Sequence, residues 1–209
     1  MNRLEEINNK TAEYEMADIL KKAELFQNDV SEDEFKMYAR DFVWPLDKLF
    51  KEIKKLQDQG NKKEIYFINI YFLHSTFQKG SLELLVEAYD EQFLFDKEPV
   101  CIQYSPQCMA EAAQNDWLQY ETYMKKSVIQ IRYHELQPYF LKLAQMYIPL
   151  IREIFRAYIP IIVNLASYRE IQKNEDIKIG YGEYGCTGIT LFEGQSNKKR
   201  NDKDEILLN

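Results

Sequence analysis

Three cysteines, six prolines and seven glycines in 209 residues leave little room for several architectures. Cys101, Cys108 and Cys186 are too few for a disulfide scaffold, and no C-x-x-C or H-x-x-x-H pair prepares a zinc site. Scarce glycine excludes a collagen-like repeat. Basic charge is short as well: 27 Lys and Arg stand against 34 Asp and Glu, a net of −7. That balance disfavours non-specific attachment to a phosphate backbone, so no nucleic-acid partner is expected.

Apolar runs free of charge are also missing. The most apolar stretch, residues 147–166, has about the length of a membrane span but carries Arg152, Glu153 and Arg156 inside it. Each would cost roughly 2.5–3.5 kcal/mol at a bilayer centre, so no transmembrane segment is expected. The opening MNRLEEINNK is polar and acidic, without the apolar core of a secretory signal. A cytoplasmic location with free thiols follows as the expectation. Lys outnumbers Arg 20 to 7, and Ile and Asn are frequent, a bias in keeping with an AT-rich bacterial genome.

Hydrophobic side chains, at 45%, and aromatic ones, at 14%, are abundant. This is too much for a disordered chain and enough for a proper core. The pattern predicts an α+β fold: an antiparallel β-meander packed against several α-helices, a long proline-bent helical region and a C-terminal β-hairpin. We read residues 1–195 as one domain, helical over 1–60, a meander over 64–104, helical over 106–173 and a hairpin over 176–193. A flexible tail over 196–209 follows from its polar, charged composition.

Within 1–60, Met16, Ile19, Leu20 and Ala23 predict an amphipathic helix over 11–27. Ser31 and Glu34 form a capping box ahead of Phe35, Ala39, Phe42, Leu46, Leu49, Ile53 and Leu56, and Gly60 is placed for a C-terminal cap. Pro45 should kink this helix. A coiled coil is the alternative, but Val43 and Phe50 widen the stripe beyond a narrow seam.

Residues 64–77 are dense in β-branched and aromatic side chains, with Tyr66, Phe67, Tyr71, Phe72 and Phe77 on one candidate strand. A turn at Lys79-Gly80 leads to the alternation Leu82, Leu84, Val86, Ala88, and FLF with VCIQY forms a third run. Two helices are the alternative, since Leu82, Leu85, Val86 and Tyr89 also fit a 3.6-residue period. Ser105-Pro106 should start a helix that ends near Gln137, before Pro138.

Pro138, Pro149 and Pro160 follow at intervals of 11 residues. Eleven residues advance a helix by about 20° beyond three turns, so the prolines fall on one stripe. The proline-punctuated spacing over these 33 residues is similar to that of the exchangeable apolipoproteins, which implies reversible lipid binding. Their charge zonation is missing here, and a core helix bent around the sheet is the preferred reading. Lipid binding is therefore not expected.

Chemistry has few footholds. Gly180, Gly182 and Gly185 spell G-x-G-x-x-G, but a strand-like CTGITLF follows where a dinucleotide site needs a helix. A glycine-rich turn or bulge is expected instead. Cys186 lacks a base that can be placed beside it, His74 and His134 being the two histidines. Glu83, Glu87 and Glu183 read as solvent-face acids. No cofactor, no metal and no catalytic residue is assigned.

Charge is uneven. Residues 1–34 hold 4 basic and 10 acidic side chains, a net of −6. The expected function is a non-enzymatic protein-binding role, of a regulatory or immunity type, acting on a protein partner. Binding is expected through Glu13, Glu15 and Asp18 on the acidic helix and Tyr66, Tyr71 and Phe72 on the aromatic sheet. The alternative is a small-molecule binder or enzyme with its pocket between that sheet and the bent helices.

Overall fold

Alternation of apolar residues builds the centre of the sheet. The computed structural model describes residues 2–25, 38–77, 81–184 and 188–194. In β1 (Ile65–Phe72), Ile68, Ile70 and Phe72 share one face and are fully buried. Leu84, Val86 and Ala88 of β2 (Leu84–Tyr89) lie beside them, opposite Phe72, Ile70 and Ile68 in turn. β3 (Val100–Tyr104) adds an antiparallel edge to β2, completing the expected meander. β4 (Lys173–Glu183) pairs parallel with the other side of β1, and β5 (Ile189–Glu193) returns antiparallel on β4 as the C-terminal hairpin. The order across the mixed sheet is β3-β2-β1-β4-β5.

The helices with full described boundaries are α1 (Arg3–Leu25), α2 (Trp44–Asp58), α3 (His74–Phe77), α4 (Gln107–Ser127), α5 (Tyr133–Ile162) and α6 (Ala166–Glu170). The chain divides into two compact units. One comprises Phe42–Leu73, Leu84–Tyr104 and Arg152–Asn209, and holds the sheet. Its α2 buries Leu46, Leu49, Phe50 and Ile53, the predicted stripe, within the chain's own core. Phe42 meets Phe155 edge-on at 5.1 Å, and Phe155 lies 6.1 Å from Tyr181. The other unit comprises Met1–Asp41, His74–Glu83 and Ser105–Ile151, and is helical. There Tyr120 stacks on Tyr139 at 3.6 Å, Tyr14 meets both edge-on, and Thr11 Oγ1 bonds the Tyr120 hydroxyl at 2.9 Å.

Several boundaries differ from expectation for local reasons. Pro45 does not kink a continuous helix: residues 38–42 are helical, Val43 turns, and Pro45 sits in the first turn of α2, where its missing N–H is harmless. Gly60, at φ +73, does cap α2. Its N–H donates to the Gln57 carbonyl at 3.0 Å and that of Asn61 to Leu56 at 2.8 Å, the two bonds of a Schellman turn. α1 begins at Arg3 rather than residue 11, with Ile7 and Thr11 already on its buried side. Phe77 belongs to α3, not to the strand, and Phe93–Phe95 form a 3₁₀ turn rather than part of β3.

The helix expected to run to Gln137 stops at Ser127. A turn with Gln130 at φ +53 intervenes, and α5 then runs from Tyr133 straight through Pro138. Buried Leu136 and Tyr139 on either side outweigh the preference of a pre-proline residue for extended backbone. Pro138, Pro149 and Pro160 all face outward on this bent helix, while Leu136, Tyr139, Tyr147, Ile151, Phe155 and Ile162 line its buried side. Prolines on the outer face remove hydrogen bonds where a curved helix already stretches them. Among the described residues no helix is long and apolar enough to cross a membrane.

Gly180 and Gly182 lie within β4, not in a turn, opposite Asn69 and Tyr71 of β1. A Cβ at Gly180 would come within 2.7 Å of Asn69 Oδ1, so the strand needs glycine for the Asn69 side chain to lie across it. The expected bulge is present, as a register shift between Ile179 and Gly180 against β5. The Ser31–Glu34 capping box, Phe35, the Lys79-Gly80 turn, Gly185, Cys186 and the 196–209 tail fall outside the described residues.

Candidate functional site

The face of the sheet opposite the buried aliphatic layer is built from Phe67, Asn69 and Tyr71 of β1 and Leu85, Glu87 and Tyr89 of β2. It is polar and aromatic at once. Asn69 Nδ2 donates to the Tyr71 hydroxyl at 2.9 Å, Tyr71 and Tyr89 hydroxyls lie 3.4 Å apart, and Tyr89 donates to the Glu87 carboxylate. Burial, reinforced by the bonds to Glu87 and Tyr71, pushes the Tyr89 phenol far above its ordinary range. Tyr89 is therefore a fixed hydrogen-bond donor, not an acid or base at neutral pH.

From the end of β2 a loop rises over this face. Phe93 packs on Phe67 at 4.8 Å and on Tyr89 at 5.3 Å. Its φ of +53 is the left-handed region, which a bulky residue occupies only under strain. What over-determines that geometry is an ion pair. Lys62 and Asp96 side chains, each 5% exposed, meet directly. Lys62 also donates to the Glu98 carbonyl at 2.9 Å. Asp96 accepts from the backbone N–H groups of Asp90 at 2.9 Å and Glu98 at 3.0 Å. Desolvation raises the Asp96 pKa, but the bonds from Lys62, Asp90 and Glu98 outweigh it, and the carboxyl ends below its ordinary value.

Held this way, the loop turns Leu94 and Phe95 outward, 60% and 84% exposed. Glu91 and Glu98, both exposed, flank them. The loop thus presents an apolar tip, bordered by Glu91, Lys97 and Glu98, above a buried ion pair.

The residues singled out in the sequence fall in separate places. Tyr71 is central to the hydroxyl network and packs edge-on against Tyr184 at 5.4 Å. Tyr66 is half-buried; its hydroxyl bonds to Glu64, which raises its pKa, and to Asn174. Phe72 is fully buried on the aliphatic face. Glu13 pairs with Lys10 at 2.8 Å and accepts from Tyr123 at 3.2 Å, with its pKa lowered chiefly by Lys10. Glu15 pairs with Lys142 at 3.2 Å. Asp18 lies on α1, with its side chain outside the described set.

Other reactive groups are quiet. Burial first, then Asp41, pushes the Cys108 thiol up to about 12, and the Cys108 N–H donates to that carboxylate at 2.7 Å. Such a thiol is not a nucleophile. Cys101 is exposed on β3. Among the described residues no three His, Cys, Asp or Glu side chains converge as metal ligands.

Sequence reasoning missed the Lys62–Asp96 pin and the Leu94–Phe95 tip. The one local signal was Phe93-Leu94-Phe95 set between Asp90 and Asp96, two apolar residues too many for an ordinary turn. No protein-family model matches this chain, nor does any curated protein or solved structure.

Proposed function

We propose that the protein is a non-enzymatic binding protein, regulatory or immunity-type, that engages a protein partner through the Leu94–Phe95 tip. The observation that carries this is Phe95, 84% exposed on a loop whose strained Phe93 is held by a buried ion pair. Strain of this kind costs on the order of 1–3 kcal/mol. Each large apolar side chain left in water forgoes about 1.5–3 kcal/mol more. A partner pocket that takes both side chains offsets these costs and meets a tip that loses little entropy on docking. Glu91 and Glu98 outnumber Lys97 at the border and call for basic residues around that pocket, which agrees with the acidic balance of the chain.

Wild-type protein and a Leu94→Ser/Phe95→Ser double variant, both checked by circular dichroism, serve as baits in native-cell lysate. The partner is then purified and its affinity measured against both. The expected loss is about 100-fold, the size of a two-residue hot spot. Equal affinity for both baits overturns the reading. Selective loss in a Glu13→Lys/Glu15→Lys/Asp18→Lys variant would move the surface to α1.

A further inference from the structure

We infer that a cleft beside the irregular start of β4 binds a small organic monocarboxylate with an apolar body. The cleft arises from a register break. Ile65 lies opposite Lys173, but Phe67 already lies opposite Lys178, so residues 174–177 of β4 leave the ladder with β1. Irregular strands of this kind re-aim side chains and recur beside binding sites. The opening has a volume of about 690 Å³. Small-molecule sites span roughly 300–1,000 Å³.

Tyr168, Ile177 and Phe192 give the cleft apolar walls, and Lys173 gives it a charge. Lys173 Nζ stands 4.7 Å from the Tyr168 ring centroid and donates to the carbonyls of Arg169 at 3.3 Å and Ile171 at 3.4 Å. These are neutral, long contacts. Among the described residues no carboxylate pairs with this ammonium, although Glu64 and Glu175 line the same cleft. Burial pulls its pKa down. A carboxylate entering the cleft supplies the missing ion, in a charge-assisted bond.

The acidic residues define the ligand further. A phosphate dianion would meet Glu64 and Glu175 with twice the charge of a carboxylate, so a monoanion is favoured. The backbone beneath Lys173 is already set. Gln57 Nε2 donates to the Gln172 carbonyl at 2.8 Å, and Gln57 Oε1 accepts from the Gln172 N–H at 2.8 Å. Across the cleft, the Gly194 N–H donates to Ile177 at 2.8 Å. The site is thus preformed, and it is independent of the Leu94–Phe95 tip.

The test is an amide NMR titration of the full chain with 3-phenylpropanoate and, separately, with its neutral amide. The acid should shift amides in residues 172–177 and 192–194, and the neutral analogue should bind at least about tenfold more weakly, the worth of one charge-assisted bond. Lys173→Met should weaken the acid by a similar factor with the rest of the spectrum unchanged, and Lys173→Arg should retain binding. Inorganic phosphate should bind more weakly than the acid. Equal binding of acid and amide, shifts confined to other residues, or no shifts at millimolar acid overturns the proposal. The acid–amide comparison needs no variant, so a variant that fails to fold does not protect the idea.

Discussion

The two compact units solve the problem of burial with different side chains. In the helical unit the interior is aromatic and hydroxylated: Tyr120 stacks on Tyr139, Tyr14 and Trp117 border them, and Thr11 bonds both the Tyr120 hydroxyl and the Ile7 carbonyl. In the sheet unit the side chains with no exposure are aliphatic and phenyl, Ile65, Ile68, Ile70, Phe72, Phe155 and Ile162 among them, and the tyrosines Tyr158, Tyr168 and Tyr181 are buried around them. Helices separated by wide tyrosine rings need polar termination for each hydroxyl, which restricts the arrangement. A sheet with alternating branched side chains needs only volume complementarity. The sheet unit places its polar bonds around that layer: on the other face of the sheet, between Gln57 and Gln172, and in the pin under the Leu94–Phe95 loop.

This contrast predicts a ranking of losses. Phe155→Ala should cost the most, about 3–5 kcal/mol, because the fully buried ring packs between Phe42 and Tyr181 and its loss leaves a cavity there. Urea unfolding followed by circular dichroism reads it. A loss under about 1 kcal/mol would mean that the sheet core is not tightly packed.

Lys62→Ala should cost about 3 kcal/mol, since it leaves Asp96 buried and unpaired. The pin also predicts a pH dependence. The folded Asp96 pKa lies below its unfolded value of about 3.9, so its contribution is complete above that pH and fades as pH falls toward the folded value. Stability measured from neutral pH to about pH 3 should show this acid limb in the wild type and a flatter one in Asp96→Asn.

Tyr120→Phe should cost least, about 1 kcal/mol, because the ring stack survives and Thr11 keeps its bond to Ile7. A loss equal to that of Phe155→Ala would erase the distinction between the two interiors. In that case the single hydroxyl bond would be carrying as much as a whole buried ring.

Much of the architecture was legible in residue order. Leu84, Val86 and Ala88 alternate in the sequence and face the core in the structure. Phe42, Leu46, Leu49 and Ile53 recur at helical spacing and are buried. The 11-residue proline interval placed Pro138, Pro149 and Pro160 on one stripe, and they share the outer face of α5. The candidate sites were far less legible. A bulky residue at positive φ has no sequence signature, so Phe93 could not be picked out. Lys62 and Asp96 are 34 residues apart, and nothing local marks either as the partner of the other.

The sequence by itself determined what depends on neighbours a few residues away: the periods of strands and helices, the Gly60 cap, the proline stripe and the concentration of acid in residues 1–34. Such features are set by local sterics and hydrogen bonds. Only the tertiary structure decided that β4 would join β1 in parallel, that Phe72 would be enclosed while Tyr71 faced the hydroxyl network, and that Lys173 would lie against Tyr168 with no carboxylate partner among the described residues. Those outcomes rest on pairings between distant segments, where chain closure must be offset by burial and no local preference names the partner.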